Sequence, residues 1–252
     1  MIQKLDAPSL AAPLFGDWAE GMVWACLQGR MGAVLADEAR SSAVAVLGDF
    51  AFFAGRPDRE LLDAVSVPLL VPQNDGWADA IAAHLGPGVR PVTRYATRKE
   101  TVFDRGRLRK YADSLPNPYT IRIIGRKLYE SCLENSWSRD LVSQYPTWEA
   151  YRELGLGVAV LRGETLAAGA SSYATFEGGI EIEIDTRPEE RRKGLARACG
   201  AALILECLDR GLYPSWDAHD TVSLALAEQL GYRADRPYLT FLRCSPEGAA
   251  FI

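Results

Sequence analysis

Residues 191–196 read Arg-Arg-Lys-Gly-Leu-Ala, three cations and a glycine where a strand-like alternation gives way to helical periodicity. The first N–H groups of a helix have no partners inside it, and the aligned peptide dipoles place about half a positive charge there. Gly194 lets the backbone curl against a ligand, Ala196 keeps the approach clear, and Arg191, Arg192 and Lys193 add full charges. That combination suits a pyrophosphate. A cation run before a helix is also a common form of solvated surface, and the six residues alone fit both readings. Neither G-x-x-x-x-G-K-[ST] nor G-x-G-x-x-G occurs in the chain, which excludes two other phosphate loops.

Immediately upstream, Glu181 and Glu183 alternate with Ile182 and Ile184. The two-residue period of a strand puts both carboxylates on one face and both isoleucines on the other. Carboxylates beside a bound cofactor would attract a cationic substrate and accept its proton through a water; a solvated sheet face is the plainer alternative. His219, beside Asp220, and His84, near a predicted helix end, are lone histidines that fit structural roles better than catalysis. Tyr173, Tyr213 and Tyr232 carry hydroxyls that can act as acids, although core packing accounts for each. Trp137 and Ser138, in "NSWSRD", are candidates for a substrate wall.

These residues need elements to hold them. Residues 157–176 and 179–186 read as a three-stranded antiparallel meander turning at 162–164 and 177–179. A helix follows from Leu195 to Arg210, with Gly211 as its left-handed cap, and its apolar residues on all sides predict burial. A strand at 212–216, a helix over 221–230 capped by Asp220 and ended by Gly231, and a strand at 238–243 complete the half. Upstream lie a hairpin at 42–55, a helix at 58–65, a strand at 67–71, a helix at 76–85 and a strand at 89–97. The order is the same in both halves, which fits either a duplication or an arrangement common among α/β proteins. Two prolines and an asparagine in 114–121 suggest a boundary, giving domains at 1–115 and 116–252.

Composition narrows the partners. A net charge of -5 argues against nucleic acid, whose phosphates require a basic face. No run of about 18 apolar residues is present to span a bilayer. The first 24 residues lack the basic start and apolar stretch of a signal peptide, and the five cysteines form no C-x-x-C pair. A cytoplasmic protein acting on a small molecule, with no metal, is the expectation.

The strand, the loop and the following helix together resemble the GNAT N-acetyltransferases, whose acetyl-CoA loop reads Arg/Gln-x-x-Gly-x-Gly/Ala between the fourth strand and the third helix. Here Arg191, Gly194 and Ala196 stand at those positions. A later family segment, Asn-x-x-Ser/Ala with a closing Leu-Gly-Phe, is similar to Asp220-Thr221-Val222-Ser223 and Leu230-Gly231-Tyr232. The resemblance covers roughly 116–252, and the whole chain looks most like the subgroup that includes zwittermicin-type resistance acetyltransferases. It implies an α/β GNAT fold and transfer of an acetyl group from acetyl-CoA to a primary amine of a small molecule, by direct attack in a ternary complex. It also implies that Ile184, Asp185 and Thr186 pair with the pantetheine arm. Arg191, Arg192, Lys193, Gly194, Leu195, Ala196 and Arg197 would cradle the pyrophosphate, and Asp220 and Ser223 would flank the cofactor.

Two positions depart from the pattern. Asp220 replaces the usual Asn and suits a helix cap, and Ala227 replaces the tyrosine that protonates the leaving thiolate in many relatives. Ala227 keeps open a second reading, a non-catalytic acyl-CoA-binding sensor or interaction module. The N-terminal half has no equivalent loop: "GRPDRELLDA" lacks the Gly-x-Ala spacing and the cation cluster, so that half is expected to shape or support.

Overall fold

In chain order the N-terminal half forms β1 (Ile2–Lys4), α1 (Ala12–Phe15), α2 (Gly21–Leu27), β2 (Ala33–Asp37), β3 (Ser42–Leu47), β4 (Phe50–Gly55), α3 (Arg59–Asp63), β5 (Leu69–Pro72), α4 (Asp75–Leu85) and β6 (Val89–Thr97). The chain continues through α5 (Arg105–Ala112), β7 (Tyr119–Ile123), α6 (Arg126–Glu134), α7 (Trp148–Leu154), β8 (Gly157–Arg162), β9 (Thr165–Phe176) and β10 (Gly179–Thr186). It ends with α8 (Leu195–Asp209), β11 (Tyr213–Ser215), β12 (Asp217–Ala218), α9 (Thr221–Leu230) and β13 (Ala234–Arg243). The computed structural model describes residues 1–244; the tail of the expected second domain, 245–252, lies outside them.

The chain divides into two units, one of Met1–Arg94 with the segment from Pro237 onward and one of Tyr95–Arg236. It passes from the first to the second inside β6 and returns inside β13. Residues 114–121, expected to be a boundary, instead connect α5 to β7 and form its start within the second unit. The strand expected at 238–243 exists, but its Phe241 and Leu242 pair with Leu70 and Leu69, in the sheet of the first unit. Strand pairing follows free sheet edges and buried faces rather than nearness in sequence.

In the first unit the sheet runs β1-β2-β3-β4-β5-β13-β6. The hairpin β3–β4 is antiparallel, and β4–β5 is parallel because α3 carries the chain back across one face. That face buries Val44, Phe53, Leu61, Leu62, Trp77 and Ile81, with the Phe53 and Trp77 rings 4.8 Å apart.

In the second unit the order is β11-β10-β9-β8-β7, antiparallel except for the parallel pair β10–β11. Helix α8 crosses one face of this sheet, flanked by α5 and α9, which is why its middle, residues 198–205, is apolar on all sides. A β-carbon on Gly200 would stand 2.9 Å from both Ile184 Cδ1 and Leu230 Cδ1, so glycine sets the closeness of α8 to strand and neighbouring helix. The opposite face is covered by α6, α7 and the short helical turn Arg139–Leu141.

Candidate functional site

The site begins where β10 and β11 part. Their parallel register covers only Gly179–Tyr213, Ile180–Pro214 and Glu181–Ser215. Beyond Ser215 the chain is drawn toward the end of β6: the Thr97 hydroxyl donates to the Trp216 carbonyl at 2.6 Å, and Asp217 and Ala218 pair with Ala96 and Tyr95 as β12. Lys99 Nζ also donates to Ser215 Oγ at 2.6 Å. With β11 held by these bonds, the edge of β10 from Ile182 to Thr186 faces a cleft, and a peptide-like arm can lie along its backbone.

At the mouth of that cleft the loop 187–194 turns into α8. A short helical turn, Pro188–Glu190, precedes Arg191, and Arg192 and Gly194 have left-handed backbone angles, φ 62° and 79°. No side chain caps α8, so its first N–H groups point outward without an internal acceptor. A β-carbon on Gly194 would meet only Arg197 Nη2, at 3.9 Å; the space over the helix start is open. Thr186 Oγ1 and Arg197 Nε are buried without a hydrogen-bond partner in the protein, while the Arg197 guanidinium lies 4.7 Å over the Tyr111 ring. Arg191 Nε donates to the Thr186 carbonyl at 3.4 Å. Lys193 departs from expectation: its ammonium is bonded to the Glu190 carboxylate at 2.5 Å. Uncapped N–H groups, open space and unpaired donors fit a pyrophosphate.

The carboxylates lie on the other face of β10. Ile180 and Ile182 belong to the core under α8, with Ile184 packed against it, so Glu181, Glu183 and Asp185 point away from that helix. The register shift at Glu181/Ile182 places the extra residue, Tyr173, on β9 and leaves the alternation of β10 intact. Glu181 is only 3% exposed, which removes the solvated-face reading for that residue; Glu183 and Asp185 are partly exposed. Burial first, and then the Asp140 carboxylate, push the Asp185 carboxyl up to about 7, with Arg191 pulling the other way. The Arg187 guanidinium lies 5.9 Å over the Trp137 ring. Ser138 is fully buried and donates to the Cys132 carbonyl at 3.0 Å, so it holds a turn instead of facing a substrate.

Beyond the cleft, Asp220 Oδ1 accepts from the Ser223 N–H at 2.7 Å and caps α9, as its type predicts. Ser223 Oγ in turn meets Trp216 Nε1 at 3.3 Å. Ala227 is fully buried at the tyrosine position of the resemblance. Tyr232 is buried and donates to the Pro214 carbonyl at 2.7 Å, and Tyr213 donates to the Arg98 carbonyl at 3.1 Å. His219 lies 3.3 Å from its neighbour Asp220, and His84 bonds Asp63 at 2.6 Å, not the carbonyls at its helix end. Burial pushes the thiols of Cys26, Cys132, Cys199 and Cys207 up to about 12, so none of these four is a thiolate nucleophile near neutral pH. Among the described residues no cluster of His, Cys, Asp or Glu is arranged to hold a metal, and no helix is long and apolar enough to cross a membrane.

Sequence reasoning missed Thr97, Lys99, Asp140 and Glu190. The first three reach the site from other elements, and only Glu190 had a local signal, an acid next to the cation run.

A family model for GNAT acetyltransferases matches residues 12–241. A GCN5-related N-acetyltransferase-like protein from Streptococcus suis 89/1591 is 49% identical, with a TM-score of 0.91 over 94% of this chain and 98% of that one. The Bacillus subtilis (strain 168) protein described as uncharacterized N-acetyltransferase YdfB is 33% identical over 89 residues; the match spans 34% of each protein. A tandem GNAT protein from the clavulanic acid biosynthesis pathway is 14% identical over 98% of this chain and 99% of that one, with a TM-score of 0.55, a likeness of fold alone.

Proposed function

The chain belongs to the GNAT acetyltransferase family, and from that premise we propose that it moves an acetyl group from acetyl-CoA to a primary amine of a small molecule, in the cytoplasm. The observation that carries this reading is the cleft where β10 and β11 part: an uncapped helix start at its mouth and acidic side chains on the opposite face of the same strand.

The residues fit the co-substrate. The open space over Gly194, the uncapped N–H groups of α8 and the unpaired Arg197 Nε would hold a pyrophosphate, and the free edge of β10 from Ile182 to Thr186 would hold the pantetheine arm. Acetyl-CoA supplies an activated acyl carbon and a thiol leaving group with a pKa of about 8.5. Glu181, Glu183 and Asp185 favour a cationic acceptor at the cleft. Glu183, more exposed than Glu181, takes the proton that the amine loses as its nitrogen bonds the acyl carbon and the carbon–sulfur bond breaks. The sulfur can leave as a thiolate and take its proton from water, so Ala227 slows the reaction without forbidding it. The resemblance to zwittermicin-type resistance enzymes directs the search for acceptors to amine-bearing antibiotics and related metabolites.

The test is release of free thiol from acetyl-CoA across a library of primary amines, beside calorimetric titration of CoA. Thiol release that depends on an amine supports the transferase. The buried Ala227 favours one rival, an acyl-CoA-binding sensor, and tight CoA binding with no amine-dependent release across the library would establish that rival.

A further inference from the structure

The charged loop before α8 contains one acid that does not face outward. Glu190 is 8% exposed, although it sits between Glu189 and Arg191 in a stretch that reads as surface. Its Oε2 accepts from the Tyr119 hydroxyl on β7 at 2.5 Å and from Lys193 Nζ at 2.5 Å, and the Lys193 ammonium is also 3.4 Å from the Tyr119 oxygen. On its other side, Oε1 lies 3.5 Å from Arg162 Nη1, at the end of β8. These four residues tie the loop to the first two strands of the sheet. Between the bonded pair Glu190 and Lys193, the chain must turn through Arg191 and Arg192, and Arg192 occupies the left-handed region that favours glycine.

We propose that Glu190 is a positioning residue for the acyl-CoA site, and that Lys193 is the other half of its brace and not a phosphate ligand. The bonds to Tyr119 and Lys193 hold the turn at Arg192 closed and so fix the outward direction of the N–H groups from Arg192 to Ala196, while the Arg191 N–H is spent on the Pro188 carbonyl. Phosphate recognition then rests on that backbone with Arg191, Arg192 and Arg197. Hydrogen bonds from Lys193 first, and then from Tyr119, hold the Glu190 carboxyl down to about 2, so the carboxylate half of the brace is ionised at neutral pH. The inference rests on the acyl-CoA reading and adds to it which cation does what.

The experiment is titration of the full chain with CoA at several salt concentrations, with steady-state kinetics wherever an acceptor is known. Glu190→Gln and Lys193→Met should each weaken CoA binding about tenfold. Acetyl-CoA KM should rise to match while kcat stays within twofold, and the double variant should bind no worse than either single one. The salt dependence of binding should be flattened by Arg191→Met and Arg192→Met and left as in the wild type by Lys193→Met. Lys193→Met that flattens the salt dependence, or losses that add in the double variant, would overturn the assignment of Lys193. Glu190→Gln that binds CoA as the wild type does would sink the brace alone, whereas a wild-type chain that binds no CoA would sink the acyl-CoA reading itself. Tyr119→Phe removes only a hydroxyl and gives the same readout if Glu190→Gln fails to fold.

Discussion

A hairpin that leads on into a helix occurs after β4 in the first unit and after β10 in the second, and the two junctions are built on opposite principles. After β4 the helix α3 spans only Arg59–Asp63, Asp58 caps it by accepting from the Glu60 N–H at 2.8 Å, and Glu60 adds an acid to its first turn. After β10 the helix α8 spans Leu195–Asp209, nothing caps it, and cations surround its start. The strands differ in the same sense. β4 pairs with β5 over Phe50–Phe53, the Gln73 N–H continues the contact to the Phe53 carbonyl, and the Gln73 amide fills the end by accepting from Gly55 N–H and donating to the Leu14 carbonyl. β10 leaves β11 after Glu181. β4 carries no charged residue, whereas β10 carries three carboxylates at alternate positions. One sequence of elements thus yields a sealed, anion-repelling junction and an open, anion-accepting one. The difference lies in a cap residue, an amide plug and the helix that follows, not in the order of strands.

The most severe test makes the second junction resemble the first. Gly194→Asp places a carboxylate in the open space at the start of α8, at a left-handed backbone angle that strains a side chain but that aspartate adopts more readily than most residues. Losing two charge-assisted N–H contacts and adding a negative charge should lower CoA affinity on the order of a thousandfold in calorimetry. Next in size, Glu183→Gln should reduce kcat about a hundredfold with the acetyl-CoA KM little changed, as befits a group that handles the proton of the amine. Retention of full kcat would move the base elsewhere on the acidic face.

Asp185 gives a smaller and signed effect. Its carboxyl is raised from 3.8 to about 7 in the folded chain. Between those values the folded state holds a proton that the unfolded state has lost, so stability declines as pH rises through that window. Asp185→Asn should therefore be more stable than the wild type at pH 8, by on the order of 2 kcal/mol for a partly exposed group, and should lose that advantage by pH 4 in urea melts. Smallest of all, Asp58→Ala should cost about 1 kcal/mol of stability by removing the cap of α3 and should leave CoA stoichiometry at one per chain. A second equivalent of CoA bound by that variant would break the contrast between the junctions.

Much of this was legible in the sequence wherever the signal is local. The meander through β8, β9 and β10, the glycine after α8, the Asp220 cap and the loop with Gly194 all follow from patterns within a dozen residues. The short helices α1, α2, α5, α6 and α7 have no counterpart among the elements expected from sequence, because about one to three turns give too little periodicity to stand out. The opening of the cleft depends on Thr97 bonding a carbonyl 119 positions away, and the Glu190 brace depends on Tyr119, 71 positions away. Such bonds leave no trace in spacing. In the sequence Glu190 stands beside Glu189 in one charged run, and its burial against β7 is what separates the two.

The route of the chain sets an order of assembly. The sheet of the first unit takes β13 as the strand between β5 and β6, and the residues of β13 that pair with β5, Phe241 and Leu242, are made only after all of Tyr95–Arg236. During synthesis the first unit therefore waits with the edge of β5 unpaired, while every strand of the five-stranded sheet in the second unit has already left the ribosome. The half made first is the half finished last. A chain ended before residue 237 would leave the edge of β5 unpaired, an open template for pairing with another chain.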